Sequence, residues 1–292
     1  MGFFKGLFST KSKSKLPRID INKRFDLLGR MGQGSMSKVW RVRDRNLGRV
    51  VCLKVLDKEK TARFDARFPG LVKPMEGAVL MGLHHTNVVK TFDYGMTFQG
   101  EQYLVMELIE GNGLNFLIET QSPALAGKRV DFLVQLAEGL EYIHQQKFMH
   151  RDICPRNTMI NQEGVVKIID FGLTIPYTKD FCKPGNRTGT PSYLAPELIK
   201  RTTTDHRVDL FALGVTVYET FTGRLPWEKT QSIETLQSHI NRAGKDPREF
   251  RPDLDDKLIA LLIKAIQRDP AERFQTAAAL RDALKALPKQ DY

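Results

Sequence analysis

The chain has 292 residues, enough for one large domain or two lobes with a sizeable core. Its hydrophobic content of 41% and charged content of 27% are ordinary for a globular protein, and Cys52, Cys154 and Cys182 are too few and too scattered for a disulfide framework or a zinc site, so a reducing, cytoplasmic setting is expected. The net charge of +11 is concentrated in residues 1–24, where seven Lys or Arg face Asp20 alone; with no zinc-finger spacing and no aromatic-basic RNA motif, no nucleic-acid partner is expected.

No stretch reaches the roughly 18 consecutive apolar residues of a membrane span, and the N-terminus lacks the apolar core of a signal peptide. Residues 1–24 read as a basic tail that contains aromatics. Phe3, Phe4, Leu7 and Phe8 would share one side of a short helix, and a Lys/Ser run follows. Two readings of the tail stand side by side. One is a solvated segment; the other is peripheral contact of residues 1–16 with an anionic membrane, to which each Lys or Arg contributes roughly 1 kcal/mol. Met1-Gly2 invites N-myristoylation, but the motif wants Ser or Thr where this chain has Gly6.

From Phe25 to about Gly100, short β-rich runs dominate. "VVCLKVL" is apolar and β-branched and follows the turn Asn46-Leu47-Gly48. Residues 70–83 are predicted as a helix, with Pro74 near its start. "YLVMELI" (103–109) predicts another strand, and a Gly-rich break follows it. Beyond that point the period changes. Leu133, Leu136, Ala137, Leu140, Ile143 and His144 recur at helical spacing. "VVKIIDFG" (165–172) predicts a short strand entering a turn, and residues 207–222 and 257–268 predict apolar helices. Strands first and helices later give an α+β class, a small sheet-rich lobe followed by a larger helical one. No internal repeat is visible.

Five segments within this frame carry chemistry. "MGQGSMSKV" holds Gly32 and Gly34, whose missing side chains would let backbone amides approach phosphate oxygens. Ser37 stands three positions on, followed by Val39. Lys54 lies in the apolar run "VCLKV", and Glu76 opens a helical run 22 residues later. "HRDICPRN" (150–157) holds Asp152 and Asn157, "IIDFGL" holds Asp170, and "GTPSYLAPE" spans 189–197. In this order the segments resemble the signature set of the eukaryotic-type protein kinases, and the resemblance runs from about residue 25 to 284. It implies a two-lobed kinase fold: a small antiparallel-sheet N-lobe (about 25–106) with one main helix, a hinge (about 107–113), and a larger, mostly helical C-lobe (about 114–288).

The resemblance further implies an ATP-dependent protein serine/threonine kinase that uses Mg2+, or Mn2+ in its place, on protein substrates. Gly32, Gly34, Ser35, Ser37 and Val39 would cover the nucleotide. Lys54 would pair the α- and β-phosphates and Glu76. Met106 would sit at the back of the adenine pocket, with Glu107 and Leu108 supplying hinge backbone. Asp152 would take or orient the substrate hydroxyl's proton, and Asn157 and Asp170 would bind metal. His150 is expected as a packed structural residue, Asp209 as an anchor of the loop backbone, Thr190 as a partner of Asp152, and Glu197 as a partner of Arg273. Thr188, then Thr178, are the expected autophosphorylation sites, with a phosphate pairing to Arg151.

"HRDICPRN" departs from the serine/threonine pattern at Cys154, where those kinases usually carry Lys. Arg156 stands where many tyrosine kinases carry Arg, and is expected to restore the charge. Cys154 is either a small filler or a reactive thiol, its pKa raised by Asp152 and lowered by Arg156. Two rivals remain: a pseudokinase scaffold that binds ATP without efficient turnover, and a small-molecule phosphotransferase. Lys54, Asp152, Asn157 and Asp170 together argue against the first, and "GTPSYLAPE" against the second. The sequence carries no sign of oligomeric state or pathway.

Overall fold

A computed structural model describes residues 16–33, 36–185, 187–228, 236–237 and 240–288. The chain divides into two compact units. The first takes the chain up to His84 together with Lys90–Leu108; the second takes His85–Val89 and everything from Ile109.

The first unit is built on a six-stranded sheet. Its strands are β1 (Arg18–Ile19), β2 (Phe25–Gln33), β3 (Ser37–Asp44), β4 (Arg49–Leu56), β5 (Thr91–Thr97) and β6 (Gln102–Met106), in the order β1-β5-β6-β4-β3-β2. Five strands run antiparallel, and β1 adds to β5 in parallel, so the sheet is mixed at one edge. The β-branched run of β4 makes it the central strand, and Val42, Val51, Leu53, Val55, Tyr103 and Val105 close a core with Phe25. Arg24, at the end of the short helix α1 (Ile21–Arg24), is drawn into this unit. Its guanidinium bonds the buried Asp44 at 2.8 Å, also bonds Asp93, and lies 5.0 Å from the Phe25 ring centroid.

Two more helices belong to the first unit. Helix α2 (Lys58–Asp65) was not expected from the sequence; Asp57 caps it by accepting the Lys60 amide at 2.9 Å. Helix α3 (Glu76–Met81) is shorter than the predicted 70–83. Pro74 biases Lys73 away from helical dihedrals, and helix begins only after Met75. Strand β6 stops at Met106 instead of running to 109. There Glu107 leaves the ladder: its amide donates to the Lys90 carbonyl (2.9 Å) and its carboxylate accepts the Lys90 amide (2.7 Å).

The second unit is mostly helical. Helix α5 (Arg129–Gln145) follows the short α4 (Leu114–Glu119) and buries Leu133, Leu136, Ala137, Leu140 and Ile143, the positions whose spacing predicted it. After α6 (Pro196–Ile199), helix α7 (Arg207–Thr222) is buried on nearly all sides, and Gly223, at φ +69°, ends it. Helices α8 (Asp256–Ala265) and α9 (Ala277–Lys285) follow. Gly214 of α7 touches α8 so closely that a Cβ would come within 2.4 Å of the Ala265 carbonyl oxygen.

Small β-ladders in this unit position the loops that matter. β7 (Gly111–Gly113), β9 (Thr158–Asn161) and β10 (Val166–Ile168) form one; β8 (Phe148–Met149) and β11 (Ile175–Pro176) form the other. Residues 150–157 are strung between β8 and β9, and Asp170 stands two residues past the end of β10. The loops are therefore held at both ends by backbone pairing.

Candidate active site

In the first unit, register assembles one face of the sheet. Lys54 on β4 stands opposite Val39 on β3 and Leu104 on β6, and Cys52, two residues earlier, stands opposite Met106. Alternation along the strand places Cys52 and Lys54 on the same side. Lys54 is 4% exposed, and its Nζ donates to Glu76 Oε1 at 2.6 Å. Both charges are buried and face each other, and breaking such a pair by removing one partner is strongly destabilising. Glu76 reaches Lys54 because it is the first residue of α3. Cys52 was not among the expected site residues; its signal was its place two residues before Lys54 in a strand. Burial pushes its thiol up to about 11, against a weaker opposite pull from the Lys54 charge.

Gly32 pairs with Val39 across the β2–β3 hairpin, and the space beside it is open. Ser37 opens β3, buried and opposite Leu56. Gly34 and Ser35 lie outside the described residues. Glu107 and Leu108 follow β6, half-buried.

In the second unit, Asp209 of α7 organises the loop at 150–157. Its carboxylate accepts the amides of His150 (2.8 Å) and Arg151 (2.7 Å) and is bonded to His144 Nε2 at 2.9 Å. Burial by itself would raise its pKa. The His144 hydrogen bond, the nearby histidines and the Arg151 amide outweigh burial and hold it below the usual carboxylate range. Those bonds fix an unusual backbone, because Arg151 sits at φ +69°. His150 is fully buried with its ring 4.7 Å from that of Phe171, a packed residue whose pKa burial lowers.

The loop presents Asp152. Oδ1 accepts both the amide and the hydroxyl of Thr190, each at 2.7 Å, and Oδ2 accepts Asn157 Nδ2 at 2.8 Å. The same Nδ2 donates to the Asp152 carbonyl at 2.9 Å. These two donations fix the amide's orientation and turn its oxygen away from Asp152. Asn157 is tied to the next loop, since its carbonyl accepts the Ile169 amide at 3.0 Å. Asp170 follows at φ +63°. Gly189 admits Thr190 to Asp152: its φ is +131°, and a Cβ would lie 2.8 Å from the Arg151 carbonyl oxygen.

Two structural pairs expected from the sequence are present. Thr190 meets Asp152, as above. Arg273 donates to both carboxylate oxygens of Glu197 at 2.8 Å. Thr188 lies 3.3 Å from Arg151 Nη2, and both residues are buried. Cys154 is 1% exposed beside the Thr190 hydroxyl, at 3.9 Å. Burial first, and then the Asp152 charge, push its thiol up to about 12, which makes it a packed filler and not a reactive thiol. Arg156, two positions on, is exposed.

The buried Lys54–Glu76 pair thus belongs to the first unit, and Asp152, Asn157 and Asp170 belong to the second. Residues 25–284 match the protein kinase domain family, and the chain belongs to it. It is similar to a probable serine/threonine-protein kinase of Clostridium perfringens, 31% identical over 272 residues, 92% of this chain and 39% of that protein. It is also similar to serine/threonine-protein kinase pkn3 of Myxococcus xanthus (31%; 89% of this chain, 49% of that protein) and to serine/threonine-protein kinase PknB of Mycolicibacterium smegmatis (30%; 89% and 42%). The chain therefore spans half or less of the length of these curated relatives.

Proposed function

We propose that this chain is an ATP-dependent protein serine/threonine kinase whose catalytic domain occupies residues 25–288. The bonding of Asp152 carries the reading. A carboxylate has about four lone-pair sites. Thr190 takes both on Oδ1 and Asn157 takes one on Oδ2, so an incoming hydroxyl has one acceptor site left, on Oδ2. Asp152 then orients the hydroxyl and accepts its proton. The "GTPSYLAPE" segment that supplies Thr190, and the names of the relatives, support Ser and Thr as the acceptors.

The donor set fits magnesium. This ion takes one or two protein carboxylates and completes its shell with substrate phosphates and water, without an all-protein cage. Asp170 brings a carboxylate and Asn157 an amide oxygen, and no cluster of three or more His, Cys, Asp or Glu competes among the described residues. With magnesium bound, ATP supplies the phosphoryl group and the metal the charge that eases its transfer. Lys54, steadied by Glu76, holds the α- and β-phosphates. Gly32, Gly34, Ser35, Ser37 and Val39 cover them, and Met106, Glu107 and Leu108 hold the adenine. Arg156 supplies the cation that Cys154 lacks. Phosphorylation of Thr188 sets a dianion against Arg151.

The test is incorporation of labelled phosphate from Mg-ATP into the chain itself and into a generic protein substrate. Asp152→Asn should lose at least about 100-fold in rate, the low end for general acid–base catalysis, while still binding nucleotide. A wild-type chain that binds Mg-ATP and turns over no faster than Asp152→Asn would leave the scaffold reading standing.

A further inference from the structure

A groove of about 590 Å³ lies on the first unit, lined by Leu53 and Val55 and reaching Leu56 and Ser37 where β4 ends and β3 begins. Leu53 and Val55 form its floor; they alternate with Lys54 along β4 and so point the other way. Trp40, opposite Leu53 on β3, and Leu27 on β2 add apolar wall. Leu27 is 55% exposed, on a stretch of β2 that is exposed from Leu27 to Gly32. The volume falls within the roughly 300–1,000 Å³ of ligand-holding clefts. The rim is not the cation-lined surface that an anionic membrane would select: Asp20, Asp57, Glu59 and Glu101 share it with three lysines.

The chain itself holds a segment that matches this groove and that phosphoryl transfer does not use. Residues 1–15 lie outside the described residues and join the first unit at Leu16, four positions before Asp20 on the groove's rim. The junction is pinned to the sheet edge. The Met96 amide donates to the Pro17 carbonyl at 3.4 Å, and the Phe98 amide to the Ile19 carbonyl at 3.1 Å. The segment carries Phe3, Phe4, Leu7 and Phe8, with Lys5, Lys11, Lys13 and Lys15 and no acid. From Leu16 back to Phe8 an extended chain reaches roughly 28 Å, so the tether does not limit access. A short tether also holds its ligand at an effective concentration on the order of millimolar.

We propose that residues 3–8 dock their aromatic side in this groove of the same chain, over Leu27, Trp40 and Val55, with the acids of the rim facing the tail's lysines. The inference is separate from the catalytic reading, because Leu27, Trp40 and Val55 have no part in that reading.

Trp40 reports on it. The chain has two tryptophans, and Trp227→Phe in the full chain leaves Trp40 as the sole emitter. Replacing Phe3, Phe4, Leu7 and Phe8 with Ser in that background should red-shift Trp40 emission and raise its acrylamide quenching at least twofold. In the otherwise wild-type chain, Leu27→Glu should speed chymotryptic cleavage after Phe3, Phe4 and Phe8 several-fold; this arm stands even if Trp227→Phe fails to fold. Quenching that ignores the tail substitutions, or cleavage that ignores Leu27→Glu, overturns the proposal. So does a Trp40 signal that appears only with dimerisation in sedimentation, which would make the occupant a second copy. A tail that leaves Trp40 unchanged but binds phosphatidylserine vesicles would make the occupant a membrane.

Discussion

Asp152, Cys154 and Arg156 occupy alternate positions of one short loop, and the structure gives them different fates. Asp152 is committed to Thr190 and Asn157. Cys154 is sealed at 1% exposure, and Arg156 is exposed on the turn Pro155–Asn157. A lysine at 154 would have to bring its ammonium out of a packed site, whereas the Arg156 side chain already faces solvent, which is why we propose that the charge has moved there. Removing one electrostatic donor from a transfer site costs about 2.7–4 kcal/mol. Arg156→Ala should therefore lower kcat by about 100-fold or more, with Arg156→Lys recovering most of it. Steady-state kinetics that show equal kcat for wild type and Arg156→Ala would mean that the charge at 156 is not used.

Among the elements, those that sequence made legible are those whose signal is local. Helix α5 repeats its apolar residues at helical spacing, and β4 is a β-branched run, so each could be read without its neighbours. Helix α2 was not legible because "KEKTARFD" buries only Phe64, and its support is a cap at Asp57 and an exposed Glu59–Arg63 pair. Arg24 was read as part of a basic tail; its burial depends on Asp44 and Asp93, 20 and 69 residues away, which no local pattern reveals. The site itself was legible as order and spacing: Lys54–Glu76, Asp152–Thr190 and Glu197–Arg273 all meet. What spacing could not give is the close approach of α7 and α8. Ala at Gly214 would press on the Ala265 carbonyl, and overpacking of this kind typically costs 1–3 kcal/mol. Gly214→Ala should lower the thermal midpoint by several degrees; a midpoint within a degree of wild type would show that the two helices move apart freely.

Over the whole molecule, the described residues include no helix long and apolar enough to cross a membrane, and all three cysteines are free and buried. Burial pushes the Cys52 and Cys182 thiols up to about 11 and Cys154 up to about 12, from 9.0. Tyr193, buried beside the Glu219 carboxylate, moves in the same direction. A group whose folded pKa is raised lends stability that is fully present below its unfolded pKa and is lost as pH rises through the folded value. Stability should thus hold to about pH 9 and fall between pH 9 and 12, as the unfolded chain gives up these protons first. Thermal midpoints recorded from pH 8 to 11 check this; a flat profile would contradict it.

The same burial makes the cysteines a clock. Only a thiolate reacts with an alkylating reagent, and the folded chain both hides each sulfur and keeps it protonated. Labelling must then wait for opening, and the sulfurs are shared out: Cys52 belongs to the first unit, Cys154 and Cys182 to the second. Counting labels against time on the untouched protein would read the opening of each unit separately, with no probe added to either.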